Sequence, residues 1–310
     1  MKIGMAGTGR MGAAIAGRLL GLGHDVAVWN RTAAKTRALA AAGATVAKTP
    51  AQLASASDVV MTILTDAAAM QAVYLGKNGL LFGKVAGKLF VEMSTVNSET
   101  ERTLAEKVRA KGGAFIDSPV GGTVGPASQG QLFAFVGGAP ADVARIRPVL
   151  EQLCRRIEHV GPVGSGATLK LTANLLTQVF WQSLGEALSL SQPLGIDPVR
   201  LMDIMSDMSG APRVLHHRAG DIAGTLGGRE ISPVNFDIDS VRKDLRAIVA
   251  EAAANGRRLP VTERVLECFD QASRDGLGGK DCAMMPSLWL KRAPTKKKSS
   301  RRKKIAPKRR

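Results

Sequence analysis

The chain has 310 residues, 45% hydrophobic and 4% aromatic, with a formal charge of +17 and three scattered cysteines, Cys154, Cys268 and Cys282. That length points to two domains with an aliphatic core, and the odd, widely spaced thiols argue against a disulfide framework or zinc site and fit a reducing compartment. No stretch reaches the ~18–20 uninterrupted apolar residues of a membrane span, and glycines and Arg10 break up the N-terminal apolar stretch, so a cytoplasmic protein without an export signal is expected.

The first 160 residues alternate strand and helix. Residues 2–6 read as a strand entering the turn Gly7-Thr8-Gly9-Arg10-Met11-Gly12, and Met11–Leu22 reads as a helix closed by Gly21 and Gly23. Strands follow at 26–29 and 44–47, with a helix over 32–42 between them, and then at 57–64, 88–92, 113–117 and 132–136. This order predicts an α/β fold with a doubly wound, mostly parallel sheet.

The pattern changes near Gly161. Residues 167–190 run without proline and with one internal glycine, predicting a long helix that Pro193 and Gly195 end. Asp197-Pro198 supplies an N-cap and a first-turn proline for the next helix. Two further helices are expected, one on the register Phe236, Ile238, Val241, Leu245 and Ile248, the other over 260–275. The division is residues 1–162 as one α/β domain, 163–290 as an all-helical domain, and 291–310 as a tail expected to be disordered.

The glycine turn sits between a strand and a helix, and a second strand ends about 20 residues on, the context a dinucleotide fingerprint requires. Gly7 allows the tight turn, Gly9 lets backbone approach pyrophosphate, and Gly12 lets the helix pack on the strand. The second strand runs into Asn30-Arg31-Thr32, with Lys35 one turn later, and no carboxylate lies between Asp25 and Asp58. An adenine ribose with a free 2′-hydroxyl is usually met there by Asp or Glu. Arg31 suits a 2′-phosphate instead, with Asn30 and Thr32 adding hydrogen bonds, so NADP is expected over NAD.

Five ordered segments carry a family resemblance. They are the glycine turn, Glu92-Met93-Ser94-Thr95, the Asp117–Thr123 run, Gly164-Ser165-Gly166 followed by Lys170 and Asn174, and Lys243-Asp244. Over about residues 1–290 the chain resembles the β-hydroxyacid dehydrogenases, which include 3-hydroxyisobutyrate dehydrogenase and the glyoxylate/succinic semialdehyde reductases. The resemblance implies Lys170 as catalytic acid/base and Asn174 as a substrate-holding amide. It places Ser94 and Thr95 beside nicotinamide and substrate, has Leu64 and Thr65 line the cofactor, and has Phe236 and Lys243 close over both ligands. Gly121, Gly122 and Thr123 can present successive N–H groups to a substrate carboxylate. On its own Lys243 also reads as a solvated i,i+4 partner of Asp239.

There are departures. Gly121 stands where the family commonly has Ser, Thr123 replaces Gly or Ser, and Ala173 replaces the usual Asn before Asn174. The expected reaction is reduction of a short carboxylated aldehyde or keto acid by a homodimer or homotetramer. An imine reductase is the alternative within the fold, which the intact Lys170 argues against.

Residues 291–310 hold twelve Lys or Arg and no acid, leaving +5 on the first 290. Such a tail reads as a solubilising appendage or as a salt-dependent contact with nucleic acid or an anionic surface. The second alternative is therefore a nucleic-acid-associated protein on a dehydrogenase scaffold. The four histidines show no metal-ligand spacing.

Overall fold

The computed structural model describes residues 1–291 and divides the chain into two compact units. The first comprises Met1–Gln182 and Ile231–Cys282, and the second Ser183–Glu230 with residues 283–291. In this grouping residues up to 182 and the 231–282 segment lie with the sheet. The expected tail lies outside the described residues from 292 on.

In the first unit a nine-stranded sheet is built from β1 (Lys2–Ala6), β2 (Asp25–Trp29), β3 (Thr45–Val46), β4 (Val59–Thr62), β5 (Leu89–Glu92), β6 (Ala114–Asp117), β7 (Val120–Gly121), β8 (Leu132–Gly137) and β9 (Cys154–Gly161). The order β3-β2-β1-β4-β5-β6 is parallel throughout, with the reversal of direction falling between β1 and β4. Open sheets bind ligands at that kind of switch point, outside the carboxyl ends of the strands.

Period-two alternation sends successive side chains to opposite faces. Ile3, Met5, Val59, Met61, Leu89 and Val91 join one apolar cluster, while Val60, Phe90 and Phe115 join the other. The helices α1 (Arg10–Gly21), α2 (Arg37–Ala41), α3 (Pro50–Ala56), α4 (Ala67–Leu75), α5 (Ser98–Arg109), α6 (Val124–Gln129) and α7 (Pro140–Leu153) intervene between strands. Burial on both faces explains the continuous apolar runs of β4 and β5.

Three expectations shift. The 132–136 strand does not extend the parallel order, because β8 runs antiparallel to both β6 and β7. β9 pairs with β8 in parallel and adds a strand to those expected, one whose apolar run is broken by the exposed Arg155 and Arg156. The helix expected over 32–42 is a 3-10 turn, Ala33–Thr36, followed by the short α2.

Beyond β9 every described regular element is helical. The long helix is α8 (Ser165–Ser191), followed by α9 (Pro198–Asp207), α10 (Arg213–Leu226), α11 (Ile238–Ala254), α12 (Pro260–Ala272) and α13 (Met285–Lys291). Asp197 caps α9 by accepting from the N–H groups of Val199 and Arg200. Phe236 lies two residues before α11 instead of within it. Among the described residues no helix is long and apolar enough to cross a membrane.

Candidate active site

Every residue singled out from the sequence for chemistry belongs to the first unit. Gly7 has φ +98°, and a Cβ there would strike the Ile63 carbonyl and touch Leu64 Cδ2, which ties the turn to the end of β4. A Cβ on Gly12 would run into the Gly7 carbonyl, so α1 approaches the turn closely only because both residues are glycine. At Gly9 a Cβ would meet open space, and Gly9 caps α1 without a side-chain bond, so the first N–H groups of the helix remain available to an anion. A pyrophosphate fits this cradle.

Asn30 braces the turn. Its Oδ1 accepts from the Thr8 N–H at 3.0 Å, its Nδ2 donates to the Thr32 carbonyl at 3.0 Å, and the buried Thr8 hydroxyl donates to the Lys35 carbonyl at 3.2 Å. Arg31, Thr32 and Lys35 are exposed, and among the described residues Arg31 and Lys35 pair with no carboxylate. Two unpaired cations at the end of β2 favour an anion there. Met11 is half-buried beside the turn, while the Arg10 side chain reaches across to Val234 and Asp237.

At the carboxyl ends of β4 and β5 a buried polar cluster fixes the loops. Glu92 is fully buried and accepts from the Ser94 N–H at 2.8 Å and from the hydroxyls of Ser94 and Thr62. Burial raises its carboxyl above the usual range. The Ser94 hydroxyl also accepts from the Leu64 N–H at 2.7 Å, so it is used in both directions and joins the ends of β4 and β5. Leu64 and Thr95 are half-buried next to it, and Thr65 is exposed.

Three carboxylates hold the helix that carries Lys170. Asp117, at the end of β6, accepts from the backbone N–H groups of Gly164 and Ala167, each at 2.8 Å, and so anchors the start of α8. Burial pushes its carboxyl up to about 6 despite those donors. Glu251 of α11 accepts from the Ser98 N–H at 2.9 Å, the Ser98 hydroxyl at 2.8 Å and the Thr168 hydroxyl at 2.7 Å, tying α5 and α8 together. Burial works against ionisation there, but these donors bring its carboxyl below the usual range.

Asp244, buried on α11, is the third. Its Oδ2 accepts from Asn174 Nδ2 at 2.8 Å and Gln178 Nε2 at 3.4 Å, and Lys243 Nζ lies 2.6 Å from its Oδ1. A carboxylate only accepts, so it fixes the Asn174 amide with nitrogen toward Asp244 and leaves Oδ1 for another donor. Lys243 also donates to the Thr95 carbonyl at 2.9 Å. It is therefore not a solvated partner of Asp239, which instead pairs with Arg242 at 2.6 Å.

Lys170 makes no hydrogen bond or ion pair among the described residues. Desolvation lowers its ammonium to about 8, with Asp244 opposing the shift and Lys243 adding to it. An amine near neutrality, on an anchored helix one turn from an oriented amide, is suited to passing a proton. Gly121 ends β7 and is half-buried, and Gly122 and Thr123 are exposed between β7 and α6; Gly122 has φ +127°, and a Cβ there would press on Leu132. Phe236 is half-buried, its carbonyl held by the Cys282 N–H at 2.8 Å.

Sequence reading missed the parts played by Glu92, Asp117, Glu251 and Asp244. Asp244 had a visible signal, being an acid on the otherwise apolar stripe Val241, Leu245 and Ile248 of α11. Nothing at residue 251 marks the distant Ser98 and Thr168 it would meet.

Two family models together span nearly all of the described chain. Residues 2–161 match the NAD binding domain of 6-phosphogluconate dehydrogenase, and residues 164–289 match the NAD-binding domain of NADP-dependent 3-hydroxyisobutyrate dehydrogenase. Glyoxylate/succinic semialdehyde reductase 1 of Arabidopsis thaliana is 32% identical over 281 residues, covering 91% of this chain and 96% of the relative. A 3-hydroxyisobutyrate dehydrogenase of Pseudomonas aeruginosa is 34% identical, covering 80% of this chain and 86% of its own length. Among solved structures, Psf3 in complex with NADP+ and 2-OPP matches with a TM-score of 0.82 and 28% identity, covering 92% of this chain and 99% of the other.

Proposed function

The chain belongs to the β-hydroxyacid dehydrogenase family, and on that premise we propose that it interconverts a short carboxylated aldehyde or keto acid and its hydroxy acid, using NADPH in preference to NADH. The observation that carries this reading is Lys170, brought to about 8 by desolvation and left without a hydrogen-bonding partner among the described residues.

A bound nicotinamide dinucleotide supplies or accepts the hydride. Gly7, Gly9 and Gly12 seat its pyrophosphate against the start of α1, with the backbone of Thr8, Arg10 and Met11 completing the turn. Arg31 and Lys35 receive a 2′-phosphate, flanked by Asn30 and Thr32. Leu64, Thr65 and Thr95 line the seat, and Phe236 and Lys243 close it. In the reductive direction the Lys170 ammonium gives its proton to the carbonyl oxygen as the alkoxide forms, and in the oxidative direction the neutral amine removes the hydroxyl proton. Asn174 Oδ1 accepts from the substrate hydroxyl. The loop Gly121-Gly122-Thr123 offers N–H groups to the substrate carboxylate, with Ser94 at the neighbouring strand end.

We further propose a cytoplasmic homodimer or homotetramer. Supporting surface comes from Leu190, Leu194, Val199 and Met208 of the second unit, which are 84%, 68%, 70% and 58% exposed and offer apolar side chains to a second copy.

The test is a screen of glyoxylate, succinic semialdehyde and methylmalonate semialdehyde with NADPH and with NADH, including a cyclic imine. Turnover of at least one carboxylated aldehyde, faster with NADPH, is expected. Turnover of the imine alone favours the imine-reductase alternative. No turnover, with DNA binding lost on deleting 291–310, favours the scaffold alternative.

A further inference from the structure

Arg10 follows Gly9 and opens α1, so its backbone belongs to the phosphate cradle. Its side chain reaches elsewhere. Nη1 donates to the Val234 carbonyl at 2.6 Å and Nη2 to Asp237 Oδ2 at 2.6 Å, partners 224 and 227 residues away along the chain. Asp237 has a second task, since its Oδ1 caps α11 by accepting from the Ser240 N–H at 2.8 Å. Burial opposes ionisation of Asp237, but the Ser240 donors, joined by Arg10, bring its carboxyl below the usual range.

The segment between these contacts is held at its other edge. The Asn235 N–H donates to Asp281 Oδ2 at 2.8 Å, the Cys282 N–H donates to the Phe236 carbonyl at 2.8 Å, and Asp237 and Asp281 form an isolated antiparallel bridge. Residues 234–237 therefore form a strap, anchored to 281–282 on one side. Among the described residues the Arg10 side chain makes the only hydrogen bonds between this strap and the glycine turn.

We propose that the Arg10–Asp237 ion pair is the clasp of a strap that retains the dinucleotide, a role that rests on the proposed use of the glycine turn as its seat. The clasp closes next to Gly9, where open space admits the pyrophosphate, and the strap it holds carries Phe236 and leads directly into the helix of Lys243. Arg10 and Asp237 act as positioning residues, because their side chains engage each other and not the reacting atoms. The two side chains are 45% and 21% exposed, so the pair is open enough to part for exchange and is weakened by salt.

Asp237→Asn removes the charge and keeps an equally good helix cap. NADPH release is measured by stopped-flow fluorescence on the full-length protein, with KM for NADPH and for the aldehyde from steady state and Tm recorded without cofactor. Release about three- to tenfold faster is expected, the range for losing one partly exposed, charge-assisted contact, with KM for NADPH rising in step and KM for the aldehyde unmoved. Arg10→Met should release as quickly, and Arg10→Lys, which keeps the ion pair, should recover most of the retention. These two variants decide the matter if Asp237→Asn folds poorly. Release at the wild-type rate in Asp237→Asn or Arg10→Met overturns the clasp while leaving the proposed function standing, as does Arg10→Lys behaving like Arg10→Met. A wild-type protein that binds no NADPH overturns both.

Discussion

Asp244→Asn separates the charge at that position from its shape. The carboxylate is 3% exposed, stands beside Lys243 at 2.6 Å, holds Asn174 at 2.8 Å and opposes the loss of the Lys170 proton. The substitution keeps an oxygen for Asn174 but removes the one negative charge that favours the Lys170 ammonium, while the repulsion from Lys243 stays. An opposite charge near an ionisable group shifts it by about one to three units, and removing this one is expected to lower the lysine by about one to two units, ~1.5–3 kcal/mol.

The assay is kcat/KM for aldehyde reduction at saturating NADPH across pH 5.5 to 9.5. Reduction needs the protonated amine, so wild-type activity should be high below pH 8 and fall as pH rises through about 8. In the variant the same fall should occur about one to two units lower, giving roughly a tenfold deficit near pH 8 that narrows in acid. Oxidation of the hydroxy acid should move the opposite way, with its alkaline optimum extending to lower pH. Loss of a buried ion pair also costs about 3 kcal/mol of stability, so Tm is recorded beside the rates. A uniform drop at every pH with an unmoved break would refute the electrostatic role and leave Asp244 as a brace for Asn174 alone.

Two further substitutions probe the cofactor end and the helix anchor. Arg31→Asp replaces an unpaired exposed cation with an anion, and should raise KM for NADPH by about tenfold or more, with little change for NADH, because one charge-assisted phosphate contact is worth roughly 1.5–3 kcal/mol. Equal effects on the two cofactors would remove Arg31 from the 2′-phosphate site. Asp117→Asn keeps one acceptor oxygen where two are used, and should cost about 1–3 kcal/mol in chemical denaturation. Asp117 also sets a pH signature. Its folded value of about 6 lies above its ordinary 3.8, so the folded state holds that proton more tightly and gains stability as pH falls from about 6 to about 4. The margin between wild type and Asp117→Asn should therefore widen by about 2 kcal/mol on acidification from pH 7 to pH 4, and a constant margin would contradict the raised value.

Local pattern carried most of the fold into view. Gly7, Gly9 and Gly12 are legible because close backbone approach at fixed spacing admits only glycine, and the strand cores of β1, β4 and β5 are legible because burial on both faces demands unbroken apolar runs. The β8 reversal was not legible, since Leu132–Val136 is equally apolar whichever way it pairs. Lys170, Asn174 and Lys243 came from the family resemblance rather than from their own neighbourhoods. What supports them escaped, because Asp117–Gly164, Ser98–Glu251 and Asn174–Asp244 join residues 47, 153 and 70 apart, and only the fold brings each acid to its donors. Arg10–Asp237 belongs to the same class of long-range polar contact.

The proton carried by Lys170 is the point on which the account turns. Single-turnover reduction of succinic semialdehyde or glyoxylate, with NADPH prebound, compares wild type with Lys170→Ala and follows the loss of NADPH absorbance. The expected result is a rate lower by about a hundred- to ten-thousand-fold in the variant with unchanged affinity for NADPH. A variant that reduces the aldehyde as fast as wild type, with the same fall above pH 8, would contradict it.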